Sequence, residues 1–262
     1  MVKTLVAIEV DLASSFAIRY ACQLANLIQM EIHPIYVKFP SPEIPMTGVG
    51  WVRRTWEREV VEMGKAEIQE VLTSEMDTCP LLQEPRVIYG DREIELLHVM
   101  EREPFDLYIE GAPYPFTTAT IYKRLHSKSY QRMSCPLIWL RGVRKINRVM
   151  GLFSDPANTG ALVDALGRFF GGTDVPLSLA YAGDGGNFDM RLVAEKAVTD
   201  LAGQGCRVTL GEAYPVGSGG PPPEALKDAG LVAVALERGV RKEDHQLQWL
   251  VQVKAPLLLV LL

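Results

Sequence analysis

The sequence predicts an α/β fold written twice, as two open parallel-sheet domains of five strands each, and three observations lead to it. A strand-like run at residues 4–11 (TLVAIEVD) recurs in pattern at residues 148–155 (RVMGLFSD), and the 34-residue stretches 4–37 and 148–181 align without a gap. The two ends rhyme as well: residues 135–140 (CPLIWL) and 255–260 (APLLLV) each follow a helix-like polar stretch with a small residue, a proline and an apolar run. Between these marks, short apolar runs rich in β-formers alternate with helix-period stretches, which is the order of a parallel sheet covered by right-handed crossovers. A period of roughly 140 residues is domain-sized rather than solenoid-sized, so the expected units are residues 1–143 and 144–262. Identities between the halves are few, mainly Asp11/Asp155, Ala13/Ala157, Ala17/Ala161 and Ala21/Ala165. Pattern repeats more than chemistry does.

In the first half, residues 3–9 read as a strand, and residues 12–30 then place Ala13, Phe16, Ala17, Tyr20, Ala21, Leu24 and Leu27 along one side of a helix. Residues 31–37 form a second strand, and 39–50 (FPSPEIPMTGVG) a loop on the strength of its prolines and glycines. A long charged helix over 51–74 follows, in which Trp51 and Trp56 belong to a core stripe, and then a strand over 85–89. Asp91 is a good N-cap, with Glu93 favourably placed in the first turn of a helix that runs through Val99. A fourth strand at 105–110, a helix at 122–133 and a fifth strand at 137–140 complete the unit. The second half repeats the order with strands at 149–153, 177–181, 207–210, 231–236 and 257–261 and helices at 159–170, 190–202, 224–227 and 243–253. Its third helix is cut short. The connector 142–147 (GVRKIN) is too brief to let the halves separate. The apolar runs at 135–140 and 255–260 would leave bare sheet edges unless paired, so the halves are expected to join along their last strands as an intramolecular pseudo-dimer.

Composition narrows the function. The net charge is −5, with 15 basic and 19 acidic residues before Val143 and 12 and 13 after it, so neither half has the cationic excess that nucleic-acid binding demands. No segment approaches the ~18 uninterrupted apolar residues of a membrane span, and no leader-like start precedes the first strand, so no membrane partner and a cytoplasmic location are expected. Cys22, Cys79, Cys135 and Cys206 form no CxxC and read as reduced, buried or incidental thiols. The four histidines include no i,i+4 pair, and no metal site is expected.

With these residues in view, the chain resembles the universal stress protein family in its tandem form. The resemblance rests on LVAIEVDLASS leading into the alanine-lined helix, on VIYGDREIELL, on FDLYIEGA and on SCPLIWLRG, with the same order in more worn form in the second half. It implies the adenine nucleotide alpha hydrolase-like, Rossmann-like fold. The family's ATP binders carry G-x2-G-x9-G followed by Ser or Thr after the fourth strand, where glycines let backbone amides approach phosphate oxygens. Here Gly111 matches the first glycine, but Tyr114 and Arg124 stand at the other two and Leu125 at the hydroxyl position, so the motif is deficient. The acid that meets the nucleoside in binders is present as Glu9; its counterpart in the second half is Phe153, and Leu236, Glu237, Arg238 and Gly239 follow that half's fourth strand.

The expected cofactor is therefore none, with ATP or AMP as the alternative through a degenerate pocket of Glu9, Val37, Gly111, Lys123 and Arg124 in the first half. Lys123 and Arg124 could replace lost amides with side-chain cations; the plainer reading is a solvated basic turn. Glu9 could meet a ribose or cap a backbone amide. The GDGGN segment at 183–187 lacks Walker and GxGxxG spacing and reads as a connector. Ser218, within GSGGPPP, reads as part of a linker rather than a nucleophile. No Gly-x-Ser-x-Gly elbow exists, and no catalytic residue is nominated. The expected function is a non-catalytic stress-response or regulatory binding role, with a homo-oligomer and an unknown protein or small molecule as further partners.

Overall fold

In the computed structural model, which describes residues 1–8, 12–39, 51–76, 79, 82–183 and 188–262, the first half runs β1 (Val2–Ile8), α1 (Leu12–Ala25), β2 (Met30–Lys38), α2 (Trp51–Met76), β3 (Arg86–Tyr89), α3 (Arg92–Arg102), β4 (Leu107–Gly111), α4 (Thr118–Leu125), α5 (Lys128–Arg132) and β5 (Leu137–Leu140). The second half runs β6 (Val149–Phe153), α6 (Pro156–Phe170), β7 (Pro176–Ala182), α7 (Phe188–Gly203), β8 (Arg207–Tyr214), a 3-10 turn (Pro223–Leu226), β9 (Leu231–Leu236), α8 (His245–Gln252) and β10 (Leu257–Leu261). All ten strands lie in one sheet of order β3-β2-β1-β4-β5-β10-β9-β6-β7-β8. Each half is a five-stranded parallel set of the same topology, and the order reverses between β1 and β4 in one and between β6 and β9 in the other.

The halves meet where the terminal apolar runs demand it. β5 and β10 pair antiparallel, with Leu257 opposite Trp139, Leu258 opposite Ile138 and Leu259 opposite Leu137, so two five-stranded sets become one continuous sheet. Leu137, Leu258 and Leu259 are fully buried, each worth about 1.5–3 kcal/mol against exposure, and no apolar edge is left at the seam. The exposed edges are β3 and β8. Alternation along the strands feeds two cores, one on each face. Leu107 and Ile109 of β4 face the core under α1, α2, α6 and α7, whereas Tyr108 points to the core under α3, α4, α5 and α8.

Two arginines tie the helices of one half to the other. Arg141, just after β5, donates to Val251 O at 3.1 Å and Val253 O at 2.9 Å at the carboxyl end of α8. Arg238, just after β9, donates to Tyr130 O, to Met133 O at 2.6 Å and to Leu261 O at 3.2 Å, closing the carboxyl end of α5. Both cations sit where helix carbonyls lack partners and the macrodipole is negative. On the opposite face, Tyr20 of α1 donates to Gly230 O across the seam at 3.0 Å. The chain passes so close there that a Cβ on Gly230 would lie 2.3 Å from Lys145 O, and the connector is held against the second half by that approach.

Several local expectations change. The helix expected over 12–30 ends at Ala25, leaving Leu27 in the turn after it and 37% exposed, and the strand expected over 207–210 runs on to Tyr214. The helix expected over 122–133 begins at Thr118 and breaks at His126–Ser127, because Thr117 and Thr120 form a capping box that starts it a turn earlier. The GSGGPPP linker is a packed turn: Ser218 Oγ lies 2.7 Å from Pro215 O and 2.8 Å from Gly220 O, and Trp249 Nε1 donates to Pro221 O at 2.7 Å. Cys22 and Cys79, expected as reduced thiols, are bonded to each other, because the fold brings their Cα atoms within 5.7 Å across 57 residues of sequence. Trp56 lies half-buried with its ring edge-on to Tyr89 at 4.8 Å; the side chain of Trp51 and residues 184–187 of the GDGGN segment lie outside the described residues.

Two outcomes follow from these ties. Thiol labelling of unreduced, denatured protein should find Cys135 and Cys206 only, and labelling of all four would show the Cys22–Cys79 bond absent. Arg238→Ala strands three carbonyls and should lower stability by about 2 kcal/mol, read as a lower urea midpoint.

Candidate functional site

Among the described residues, the densest polar cluster is built around Glu110, the penultimate residue of β4. Alternation along FDLYIEG places Glu110 and Tyr108 on the same face, beneath α4 and α5, and leaves the glutamate only 1 % exposed. A buried carboxylate must be neutralised or fully hydrogen-bonded. Its Oε2 accepts from Arg92 Nη2 at 2.7 Å, Arg124 Nη2 at 2.8 Å and Tyr108 OH at 2.8 Å. Its Oε1 accepts from Arg124 Nε at 3.3 Å, Trp139 Nε1 at 3.2 Å and Tyr130 OH. Trp139 Nε1 also reaches Tyr130 OH at 2.8 Å, and the Arg124 guanidinium lies 5.3 Å from the centre of the Tyr130 ring.

The electrostatics follow from this geometry. Burial alone would raise the Glu110 carboxyl, but the Arg124 and Arg92 cations beside it outweigh that and hold it well below the usual carboxylate range. Burial, reinforced by the Glu110 charge, pushes the Tyr108 and Tyr130 phenols well above theirs. At neutral pH the cluster thus contains one fully donated carboxylate, two arginines and two protonated phenols. None of these is a free base or an activated nucleophile. The buried thiol of Cys135 is no better suited, since burial raises it to about 12.

The residues expected to form a nucleotide pocket are distributed differently. Arg124 is not part of a solvated turn; its guanidinium is committed to Glu110, with Glu93 Oε1 at 4.0 Å on its outer side. Lys123 is exposed, as a solvated turn requires. The two line one open cavity of about 760 Å³ between the start of α3 and the α4–α5 corner, with Thr120, Ile94 and Leu97 among the other walls. Gly111 ends β4 opposite Leu140, and the next amide, Ala112 N, donates to Leu140 O at 2.8 Å. Val37 lies in register with Ile88 and packs, half-buried, against the core, and neither it nor Gly111 lines the cavity. Glu9 lies outside the described residues. At the start of α4, where a phosphate would find unpaired amides, a capping box takes two of them: Thr120 N donates to Thr117 Oγ1 and Thr117 N to Thr120 Oγ1. In the second half, Phe153 is 1 % exposed and its carbonyl accepts Tyr214 OH at 3.1 Å.

Glu110 escaped the sequence reading, although the signal was present as a lone acid in an otherwise apolar strand. Arg92 and Tyr130 were missed with it, because their convergence depends on where α3 and α5 cross the sheet. No group of His, Cys, Asp and Glu among the described residues could hold a metal ion, and no described helix is long and apolar enough to cross a membrane.

Glu110 sets a pH dependence. Its folded pKa lies below its unfolded one, so its contribution to stability is complete above the ordinary carboxylate range and is lost as pH falls through that range toward the folded value. Glu103, held by Arg86 and Lys3 at about 2, acts in the same direction. Glu110→Gln should cost about 3–5 kcal/mol near neutral pH by leaving Arg92 and Arg124 without their counter-charge. It should also flatten the loss of urea stability below pH ~4.5; an unchanged acid slope would show that the cluster does not carry it.

Comparison with known proteins agrees with this architecture. No family model matches the chain, and no curated protein does. Among solved structures, a universal stress protein from Archaeoglobus fulgidus superposes with a TM-score of 0.64 at 12% identity, covering 98% of this chain and 95% of its own. A functionally unknown protein from Pseudomonas aeruginosa gives 0.60 at 14% identity over 99% and 92%. The cytoplasmic domain of a prokaryotic cation chloride cotransporter gives 0.55 at 10% identity over 98% and 94%. The chain has the mostly parallel α/β fold of the universal stress proteins, and the likeness extends over both halves.

Proposed function

We propose that the chain is a non-catalytic binding protein of the tandem universal stress type, serving stress response or regulation as an intramolecular pseudo-dimer whose first half has lost the ATP cradle. The observation that carries this reading is the engagement of Arg124 by buried Glu110. The residue at the third glycine position of the binders' motif is not merely larger; its cation is spent on an internal carboxylate. The capping box of α4 takes the Thr117 and Thr120 amides, and Ala112 N is paired with Leu140 O, so fewer backbone donors stand toward a phosphate. The absence of catalysis is supported by a cluster in which every titratable group is either fully donated or held protonated.

A second reading is favoured by one observation. Lys123 and Arg124 share a cavity of about 760 Å³, within the size range of small-molecule pockets, so an adenine nucleotide or another small ligand could enter the first half beside them. A thermal-shift series with ATP, AMP and cyclic nucleotides separates the two. The proposal expects no shift with any of them. A rise of several degrees with a nucleotide, abolished in Glu9→Ala, overturns it in favour of the degenerate pocket.

A further inference from the structure

A crevice of about 560 Å³ opens at the carboxyl edge of the second half, where strand order reverses between β6 and β9. Ligands of open parallel sheets sit at such reversals, and the volume suits a small molecule. Its mouth is open, with Asp155, Glu237, Arg241 and His245 exposed at it, while its wall is fixed by close packing. The turn after β8 packs onto α8 so tightly that a Cβ on Gly219, which has φ +79, would lie 2.3 Å from His245 O. Tyr214 is held by its hydroxyl bond to Phe153 O.

The chemistry of this crevice differs from that of a phosphate site. Two helices, α6 and α8, begin at its rim, and helix starts ordinarily attract anions. Here each start carries its own carboxylate: Asp155 Oδ1 accepts Ala157 N at 2.8 Å, and Asp244 Oδ1 accepts Gln246 N at 2.7 Å. Glu237 lines the same space, so three carboxylates stand against the single guanidinium of Arg241, with His245 and the Tyr214 phenol the remaining titratable lining groups. An arriving phosphate meets one capped amide at each helix start and net negative charge. A cation meets carboxylates whose outer lone pairs are open to it, because each cap uses one oxygen for its amide. The described Asp, Glu, His and Cys residues nowhere converge tightly enough for a metal ion, which leaves a larger cation that can span the rim through several N–H donors.

We propose that this second-half crevice binds a small organic cation of the amine or guanidinium class and disfavours nucleotide phosphates. The site lies on the opposite edge of the sheet from the carboxyl end of β4, because β5 and β10 are antiparallel, and it stands independently of the reading of the first half.

Calorimetric titration of the full chain with spermidine, at about 150 mM salt so that diffuse surface attraction is screened, tests it. Saturable binding of one equivalent is expected, weakened about tenfold or more in the combined variant D155N/E237Q/D244N. Asparagine retains a capping oxygen, so α6 and α8 should persist, and an unchanged melting curve checks that they do. The control variant E59Q/E212Q/E224Q alters net charge equally at exposed positions away from the described crevice lining, and should bind as the parent does. Absence of saturable spermidine binding, or equal weakening in both variants, overturns the proposal. So does ATP binding that is lost in Arg241→Gln, whereas ATP binding lost only in Glu9→Ala bears on the first half alone.

Discussion

The antiparallel pairing of β5 with β10 is the constraint on which the rest of the molecule depends. Each half ends in a strand too apolar to face water, and each supplies the other's missing neighbour. Because the pairing is antiparallel, the carboxyl edges of the two halves point to opposite ends of one sheet. The two switch-point crevices therefore cannot share a ligand, and each must be judged by its own side chains. The seam also brings Arg141 and Arg238 to the carboxyl ends of α8 and α5, so that helices as well as strands register across it. Tyr130 then connects the seam to the first-half cluster: its carbonyl accepts Arg238 and its hydroxyl reaches Glu110.

The Glu110 cluster shows how a polar group is kept at the carboxyl edge of a buried sheet. A lone buried carboxylate would be prohibitively unfavourable, and a cradle lined by arginines without a bound anion would be unfavourable in turn. Glu110 and its two arginines offset each other, while Tyr108, Tyr130 and Trp139 satisfy the remaining lone pairs. Breaking the set from either side leaves an uncompensated charge in an otherwise apolar core. Arg124 is locked by that cost more than by packing.

Much of the fold was legible because period and punctuation survive in the sequence. The duplicated strand–helix opening, the closing apolar runs, the shortened third helix of the second half and the Asp91 cap all have local signatures, and the structure places each where those signatures put it. What could not be read depends on contacts between distant segments. Cys22 and Cys79 have no spacing that marks them as partners. The GSGGPPP stretch has the composition of a linker, but its glycines serve close approach: Gly219 and Gly220 admit α8 where any side chain would collide with His245 or Trp249. Glu110 was the nearest to legible, since an acid between Ile109 and Gly111 in a central strand asks for a cation, yet nothing local says that Arg92 and Arg124 would both answer.

The same fold is found in universal stress proteins and in a transporter's cytoplasmic domain, so the fold by itself assigns no task. One scaffold serves different tasks, so its edges decide. In this chain the duplicated edges have diverged in opposite electrostatic senses: arginines drawn inward onto a buried acid in the first half, carboxylates posted at two helix starts in the second. Duplication makes that divergence tolerable. The first half commits Glu110, Arg92 and Arg124 to internal bonds, and the second half carries a crevice of its own at the other end of the sheet.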